Sequence, residues 1–128
     1  MIIKHKIRKN WECSKFDTII DVRSPSEFEE DHIVGAINCP VLSDLEREKV
    51  GIIYKKENTF KAKIIGSSLT ARNIARHIEE RFSEYKGSWQ PLIYCWRGGQ
   101  RSKAFAIILS EVGWRTSQLE GGLSLIHI

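Results

Sequence analysis

The stretch Pro91-Leu92-Ile93-Tyr94-Cys95-Trp96-Arg97-Gly98-Gly99-Gln100-Arg101-Ser102-Lys103-Ala104 constrains this chain more than any other. A short apolar run ends on Cys95, and a loop with two glycines and two arginines follows. Ala104, Ile107, Ile108 and Leu109 then recur at the spacing of one buried helix face. Strand, cysteine loop and helix in that order imply chemistry. The amides of a tight glycine-containing loop can converge on one spot as an anion-binding nest. The first turn of the helix adds unpaired N–H groups and a positive dipole end. A sulfur held there is expected to be a thiolate, because the amides, the helix end and Arg97 or Arg101 all favour the charged form. The same cradle would hold an anionic substrate above the sulfur.

Each feature alone has a plainer explanation. A lone cysteine at a strand end is most often a small buried hydrophobe, and Gly98-Gly99 by itself marks only a turn. Two arginines within six residues of a cysteine, around a double glycine, have no evident packing use. The combination therefore points to a reactive cysteine in an anion site.

The 128 residues fit one domain with a moderate core. Hydrophobic content of 41% and charged content of 28% are ordinary for a globular chain. No run approaches the roughly 18 apolar residues of a membrane span, and the start of the chain lacks the apolar core of a signal peptide. Cys13, Cys39 and Cys95 are irregularly spaced. That argues against a disulfide framework or a metal cluster and for a reducing cytoplasm. A net charge of +4 is compatible with a polyanionic partner without proving one.

Along the chain, Ile2, Ile3 and Ile7 among cations, then Trp11, suggest a short edge strand. Phe16-Asp17-Thr18-Ile19-Ile20-Asp21-Val22-Arg23 reads as a strand rich in β-branched residues. It ends in Asp21 and Arg23, at the edge where an open α/β sheet binds ligands. These two are expected to pair with each other or with a neighbouring loop and to support the site. Ser24, Pro25 and Glu27 then open a short helix with a capping box. His32, after an acidic run, reads as a surface or capping residue, and Cys39 as packed rather than reactive.

Residues 43–56 read as a helix, with Ser43 and Glu46 as a capping box before Leu45, Lys49, Val50 and Ile53. The longest helix is expected at about 59–83. Phe60, Ile64, Ala71, Ile74, Ala75, Ile78 and Phe82 would form its inner face. Lys61, Lys63, Arg72, Arg76, His77 and Arg81 would form a solvated one, and Gly66-Ser67-Ser68 a possible bend or break. A helix over 101–112 should end at Gly113, followed by a last strand over 114–119 and a turn at Glu120-Gly121-Gly122. Strands alternating with helices indicate α/β layers around a largely parallel sheet.

With these residues in hand, the chain resembles a rhodanese homology domain. The resemblance rests on Asp21-Val22-Arg23-Ser24-Pro25-Ser26-Glu27-Phe28, on His32-Ile33-Val34-Gly35-Ala36-Ile37-Asn38, on the cysteine loop and on Leu119-Glu120-Gly121-Gly122. It implies a rhodanese-like three-layer α/β fold with a mainly parallel central sheet flanked by helices. A narrower resemblance is to the N-terminal domain of bacterial tRNA 2-selenouridine synthases. It is carried by Pro40-Val41-Leu42-Ser43-Asp44, Val50-Gly51-Ile52-Ile53-Tyr54-Lys55, Ala71-Arg72-Asn73-Ile74-Ala75-Arg76-His77-Ile78 and Tyr94-Cys95-Trp96-Arg97-Gly98-Gly99-Gln100-Arg101-Ser102.

That family replaces the sulfur of wobble 2-thiouridine in tRNA by selenium, with selenophosphate as donor and geranyl diphosphate as co-substrate, through an S-geranylated intermediate. The resemblance implies Cys95 as the catalytic residue and tRNA as a partner of the full-length enzyme. The family's C-terminal P-loop domain has no matching motif here. Residues 1–122 are expected to be the rhodanese-like domain. Leu123-Ser124-Leu125-Ile126-His127-Ile128 fit no family pattern and resemble a translated sequencing-library adapter, so a non-native tail is expected there.

In the expected mechanism Cys95 attacks the sulfur or selenium of a small anionic chalcogen donor and holds that atom for delivery. Trp96, Arg97, Gly98, Gly99, Gln100 and Arg101 would bind the anion, supported by Asp21, Arg23 and Ser102. No metal or bound cofactor is called for. Arg101 is the sixth residue after Cys95, one more than in many small sulfurtransferases of this fold, which suits a tetrahedral group. Trp96 reads as a lid, a stacking surface for a tRNA base, or a core anchor, the last slightly preferred. Arg72 and Arg76 either steer phosphates or are simply solvated. The alternatives are a general thiosulfate sulfurtransferase and a phosphatase of the same fold with Cys-x5-Arg spacing. Tyr94 stands where such a phosphatase usually has histidine. A catalytically silent binding module is disfavoured by the intact cysteine and arginines.

Overall fold

The computed structural model describes residues 2–5 and 14–126, with His5 described by its backbone alone. Ile7, Trp11 and Cys13, and the last two residues of the tail, lie outside the described residues. Five short parallel strands form one sheet: β1 (Ile3–His5), β2 (Thr18–Asp21), β3 (Ile37–Asn38), β4 (Pro91–Tyr94) and β5 (Ser117–Leu119), in the order β1-β5-β4-β2-β3. Four helices connect them: α1 (Pro25–Glu30), α2 (Asp44–Lys56), α3 (Thr59–His77) and α4 (Gln100–Val112). The expected α/β fold with a parallel sheet is what the chain adopts. The edge strand near the start of the chain is present as β1.

The topology places the site. From β2 the chain moves to β3 on one side, and from β4 it moves to β5 on the other. The carboxyl ends of β2 and β4 therefore flank the point where the winding reverses, which opens a crevice in such sheets. Asp21 pairs in register with Tyr94 there, and Cys95 follows immediately.

Side chains alternate across the sheet. Ile20, Ile93 and Cys95 face a larger core with Ile74, Phe82, Phe105 and Leu109. Ile19, Leu92 and Tyr94 face a smaller one with Ile33, Leu119, Leu123 and Ile126. The segment expected to be a non-native tail thus contributes two buried side chains to the domain. Among the described residues no helix is long and apolar enough to cross a membrane.

Several helix faces differ from expectation. Ile107 is exposed, and α4 instead buries Ser102, Phe105, Ala106 and Leu109. Residues 104–109 are apolar nearly all round, so spacing alone did not fix the rotation of the helix. Leu45, Phe60 and Ile64 are also exposed. The inner side of α3 is Ala62, Asn73, Ile74 and His77, and α3 runs unbroken through Gly66-Ser67-Ser68. It then continues into a π-helical turn, Ile78–Phe82.

His77 is not on a solvated face. Its Nε2 is 2.8 Å from the Pro40 carbonyl, and Arg81 donates to the Asn38 carbonyl and to Cys39 Sγ. These two side chains tie the end of α3 to the loop after β3. Asn73 adds to that tie by donating to the Val41 carbonyl and to Glu46.

Candidate functional site

Cys95 follows the last residue of β4, and α4 begins five residues later at Gln100. Two features shape the intervening loop. Gly98 has φ +69°, and a Cβ there would lie 2.9 Å from the Gly121 nitrogen and 3.1 Å from the Leu119 carbonyl. Only glycine satisfies both the backbone and the space. The turn at Gly121-Gly122 meets the loop from the other side. The amides of Leu123 and Ser124 donate to the carbonyls of Cys95 and Trp96, each at 2.9 Å. In a trans peptide the carbonyl and the following N–H point in opposite directions, and no peptide among the described residues is cis. Fixing those two carbonyls toward the closing turn therefore turns the amides of Trp96 and Arg97 away from it.

The sulfur has two polar neighbours. The Gly99 amide donates to Cys95 Sγ at 3.2 Å, and Ser102 Oγ lies 3.1 Å from it. The Ser102 hydroxyl is also 3.2 Å from the Gly99 carbonyl. Gly99 is the N-cap of α4, so the unpaired amides of the first helical turn and the positive dipole end lie beside this group. Of the amides over 96–101, Gly99 alone bonds the sulfur. Cys95 is 3% exposed, with hydrocarbon from Ile93 and Phe105 in the same core.

The two arginines are placed differently. Arg101 is anchored to α1: its Nη1 donates to Glu27 Oε1 at 2.7 Å and its Nη2 to Oε2 at 3.4 Å. Arg47 of α2 approaches the same carboxylate at 3.4 Å. Burial opposes ionisation of Glu27, but the Arg101 hydrogen bond and charge, with the amide and hydroxyl of Ser24, outweigh it and hold the carboxyl at about 2. Arg97 is exposed and makes no hydrogen bond or ion pair with another described residue.

Asp21 and Arg23 pair with each other through four hydrogen bonds, and Arg23 also donates to the Asp31 carbonyl at 2.6 Å. Both are buried at the carboxyl edge of the sheet. The Tyr94 hydroxyl accepts from the Ile33 amide beneath them, and burial, then the Asp21 charge, keep that phenol protonated. This cluster braces the end of β2 against β4 and touches the sulfur through no hydrogen bond.

Trp96 is 40% exposed, so the core-anchor reading gives way to an indole at the rim of the loop. Cys39 is packed, and burial pushes its thiol up against the opposing pull of Arg81. His32 closes the end of α1, with its Nδ1 2.7 Å from the Phe28 carbonyl and its ring stacked on Phe28. A cavity of about 650 Å³ opens beside Gln100 and Arg101, walled by Leu42, Val50, Tyr54, Ala71 and Ile108 of the α2, α3 and α4 layer.

Gln118 was not singled out from the sequence. It is 3% exposed on β5, and its Nε2 donates to Ser102 Oγ at 2.8 Å and to the Gly98 carbonyl at 3.2 Å. Its strand, Ser117–Leu119, is itself mostly polar, so nothing in the local sequence marks Gln118 out from Ser117 beside it. Glu27 was read as a capping residue. It does accept from the Ser24 amide and hydroxyl, and its hold on Arg101 is visible only once α1 and α4 are brought together.

Comparison with known proteins agrees with this fold. The family model described as "Rhodanese-like domain" matches residues 4–127. The tRNA 2-selenouridine synthase of Bdellovibrio bacteriovorus is 37% identical over 108 residues, covering 81% of this chain and 28% of that protein. That of Salmonella agona is 37% identical over 113 residues, covering 85% of this chain and 30% of its own. The chain thus spans under a third of the length of these relatives. Among solved structures, the N-terminal domain of a putative ATP/GTP binding protein from Clostridium difficile superposes with a TM-score of 0.75 at 33% identity, covering 98% of this chain and 95% of that one. An Escherichia coli rhodanese with anions superposes at 0.52 and 22% identity, covering 87% and 92%, a likeness of fold.

Proposed function

Because this chain belongs to the rhodanese-like domain family, we infer that Cys95 is its nucleophile and carries a sulfur or selenium atom in a reaction of the tRNA 2-selenouridine synthase type. The observation that carries the reading is the convergence of the Gly99 amide and the Ser102 hydroxyl on Cys95 Sγ at the mouth of α4. Those donors suit a charged sulfur, and they suit equally the terminal atom of a persulfide or perselenide. Relatives at 35–37% identity named tRNA 2-selenouridine synthase support the chemical class. On this reading tRNA is the eventual acceptor, selenophosphate the selenium donor and geranyl diphosphate a co-substrate of the full-length enzyme.

The loading step balances with a sulfane donor such as thiosulfate. The Cys95 thiolate attacks the outer sulfur, an S–S bond forms, and the sulfur–sulfite bond breaks. Sulfite leaves with the electron pair, and Cys95 is left as a persulfide anion. Gly99 N–H, the first turn of α4 and the loop cations take up the charge on both anions.

The test is an intact mass of the chain after incubation with thiosulfate, and separately with selenosulfate, whose outer selenium is transferred with the same sulfite leaving group. Gain of one chalcogen atom, lost in Cys95→Ala and kept in Cys39→Ser, is expected. Turnover of an aryl phosphate with no adduct would replace this reading by the Cys-x5-Arg phosphatase. A Cys95 inert to iodoacetamide at neutral pH would end the nucleophile reading altogether.

A further inference from the structure

Gln118 lies on β5, sixteen residues beyond Ser102 in the chain, and reaches the underside of the cysteine loop. The orientation of its amide is dictated by chemistry. The Gly98 carbonyl can only accept, so the group 3.2 Å from it must be the NH₂ and not the oxygen. One N–H of that NH₂ then goes to Gly98 and the other to Ser102 Oγ.

This settles what the Ser102 hydroxyl can do. A serine has one proton and two lone pairs. One lone pair is taken by Gln118. The proton has two acceptors within reach, the Gly99 carbonyl at 3.2 Å and Cys95 Sγ at 3.1 Å. While the sulfur carries its own proton, the thiol can donate to the second lone pair of Ser102, whose hydroxyl then points at Gly99. Once the sulfur is charged it can only accept. The hydroxyl then swings from the carbonyl to the sulfur and joins the Gly99 amide there. Nothing on the β5 side competes for that proton, because Gln118 offers Ser102 a donor and no acceptor.

We propose that Gln118 is a positioning residue for Cys95: with its amide orientation fixed by the Gly98 carbonyl, it donates to Ser102 Oγ and so reserves the Ser102 proton for the charged sulfur. Ser102 and Gln118 are both buried, so water does not replace either bond. The inference rests on the reading of Cys95 as nucleophile and adds to it a residue from the far strand.

The experiment follows the rate of Cys95 alkylation by iodoacetamide against pH in the full chain, for wild type, Ser102→Ala, Gln118→Met and the double variant, each confirmed folded by circular dichroism. Methionine keeps the length of glutamine and removes its donors. Each single variant is expected to slow alkylation near neutral pH by about tenfold while keeping the limiting rate at high pH, where every thiol is ionised. The double variant should be no slower than Ser102→Ala alone, because Gln118 acts through Ser102. The role fails if Gln118→Met follows the wild-type profile, if the double variant falls by the product of the two effects, or if the high-pH limit drops as well, which marks a packing defect. Should Gln118→Met not fold, the side-chain amide resonances of Gln118 in the wild type decide. They are expected to move with the ionisation of Cys95 and to stay still in Cys95→Ala, and resonances that ignore Cys95 overturn the proposal. A wild-type Cys95 inert at every pH overturns the nucleophile reading itself, and the role of Gln118 falls with it.

Discussion

Arg101 donates to Glu27 at 2.7 Å, so the arginine six residues after the cysteine is anchored on the first turn of α1. Glu27 also accepts from the Ser24 amide and hydroxyl. One carboxylate therefore starts α1 and fixes a cation at the start of α4. The anchor leaves Arg101 with N–H groups to spare at the rim of the cavity beside the loop.

Glu27→Gln should weaken this link by about 1–2 kcal/mol, since the pair is partly buried. The acid dependence has a definite sign. A carboxyl lowered to about 2 from 4.5 contributes stability that is fully present above 4.5 and is lost as pH falls from there toward 2. Thermal melts of wild type against pH should show that loss, and those of Glu27→Gln should be flatter over the same window.

Gly122→Ala should be among the most damaging single changes. Gly122 has φ +62°, and a Cβ would collide with the carbonyls of Cys95 and Trp96. The strain and the displaced loop are expected to lower stability by roughly 2 kcal/mol or more, read by urea unfolding. Loading from thiosulfate should fall with it, because the Leu123 and Ser124 amides hold those same carbonyls.

Arg23→Leu leaves the Asp21 carboxylate buried without its partner. About 3–5 kcal/mol of destabilisation is expected. Adding Asp21→Asn should recover part of it, since the uncompensated charge is then gone. If the two changes instead add in denaturant unfolding, the pair is not coupled in the way the geometry indicates.

Trp96→Ala should barely move stability, by within about 0.5 kcal/mol, because the indole is 40% exposed. Loading of Cys95 by a small donor should persist. A large loss of stability in urea unfolding would restore the core-anchor role that the exposed position removes.

Much of this protein is legible locally. Ser24 with Glu27 and Ser43 with Glu46 are capping pairs whose partners lie within one turn, and both helices begin where those pairs say. Gly113 ends α4 in the left-handed region, as glycine past a helix does. The strand before Cys95 and the turn at Gly121-Gly122 also depend on neighbours in the chain. Helix rotation was less legible. Residues 104–109 are apolar on almost every side, so Phe105 and Leu109 rather than Ile107 face the sheet only because β4 and β5 lie on that side.

The order of residues determined that a cysteine would sit between a strand and a helix, inside a tight glycine turn with arginines beside it, because each of those preferences acts over a few residues. Only the folded sheet decided which groups brace the cysteine loop and its neighbours. Gln118 arrives from β5, Glu27 from α1, and Leu123 and Ser124 from the closing turn. Hydrogen bonds between strands and loops far apart in the chain have no periodicity to announce them, and they exist only once the parallel sheet sets those segments side by side.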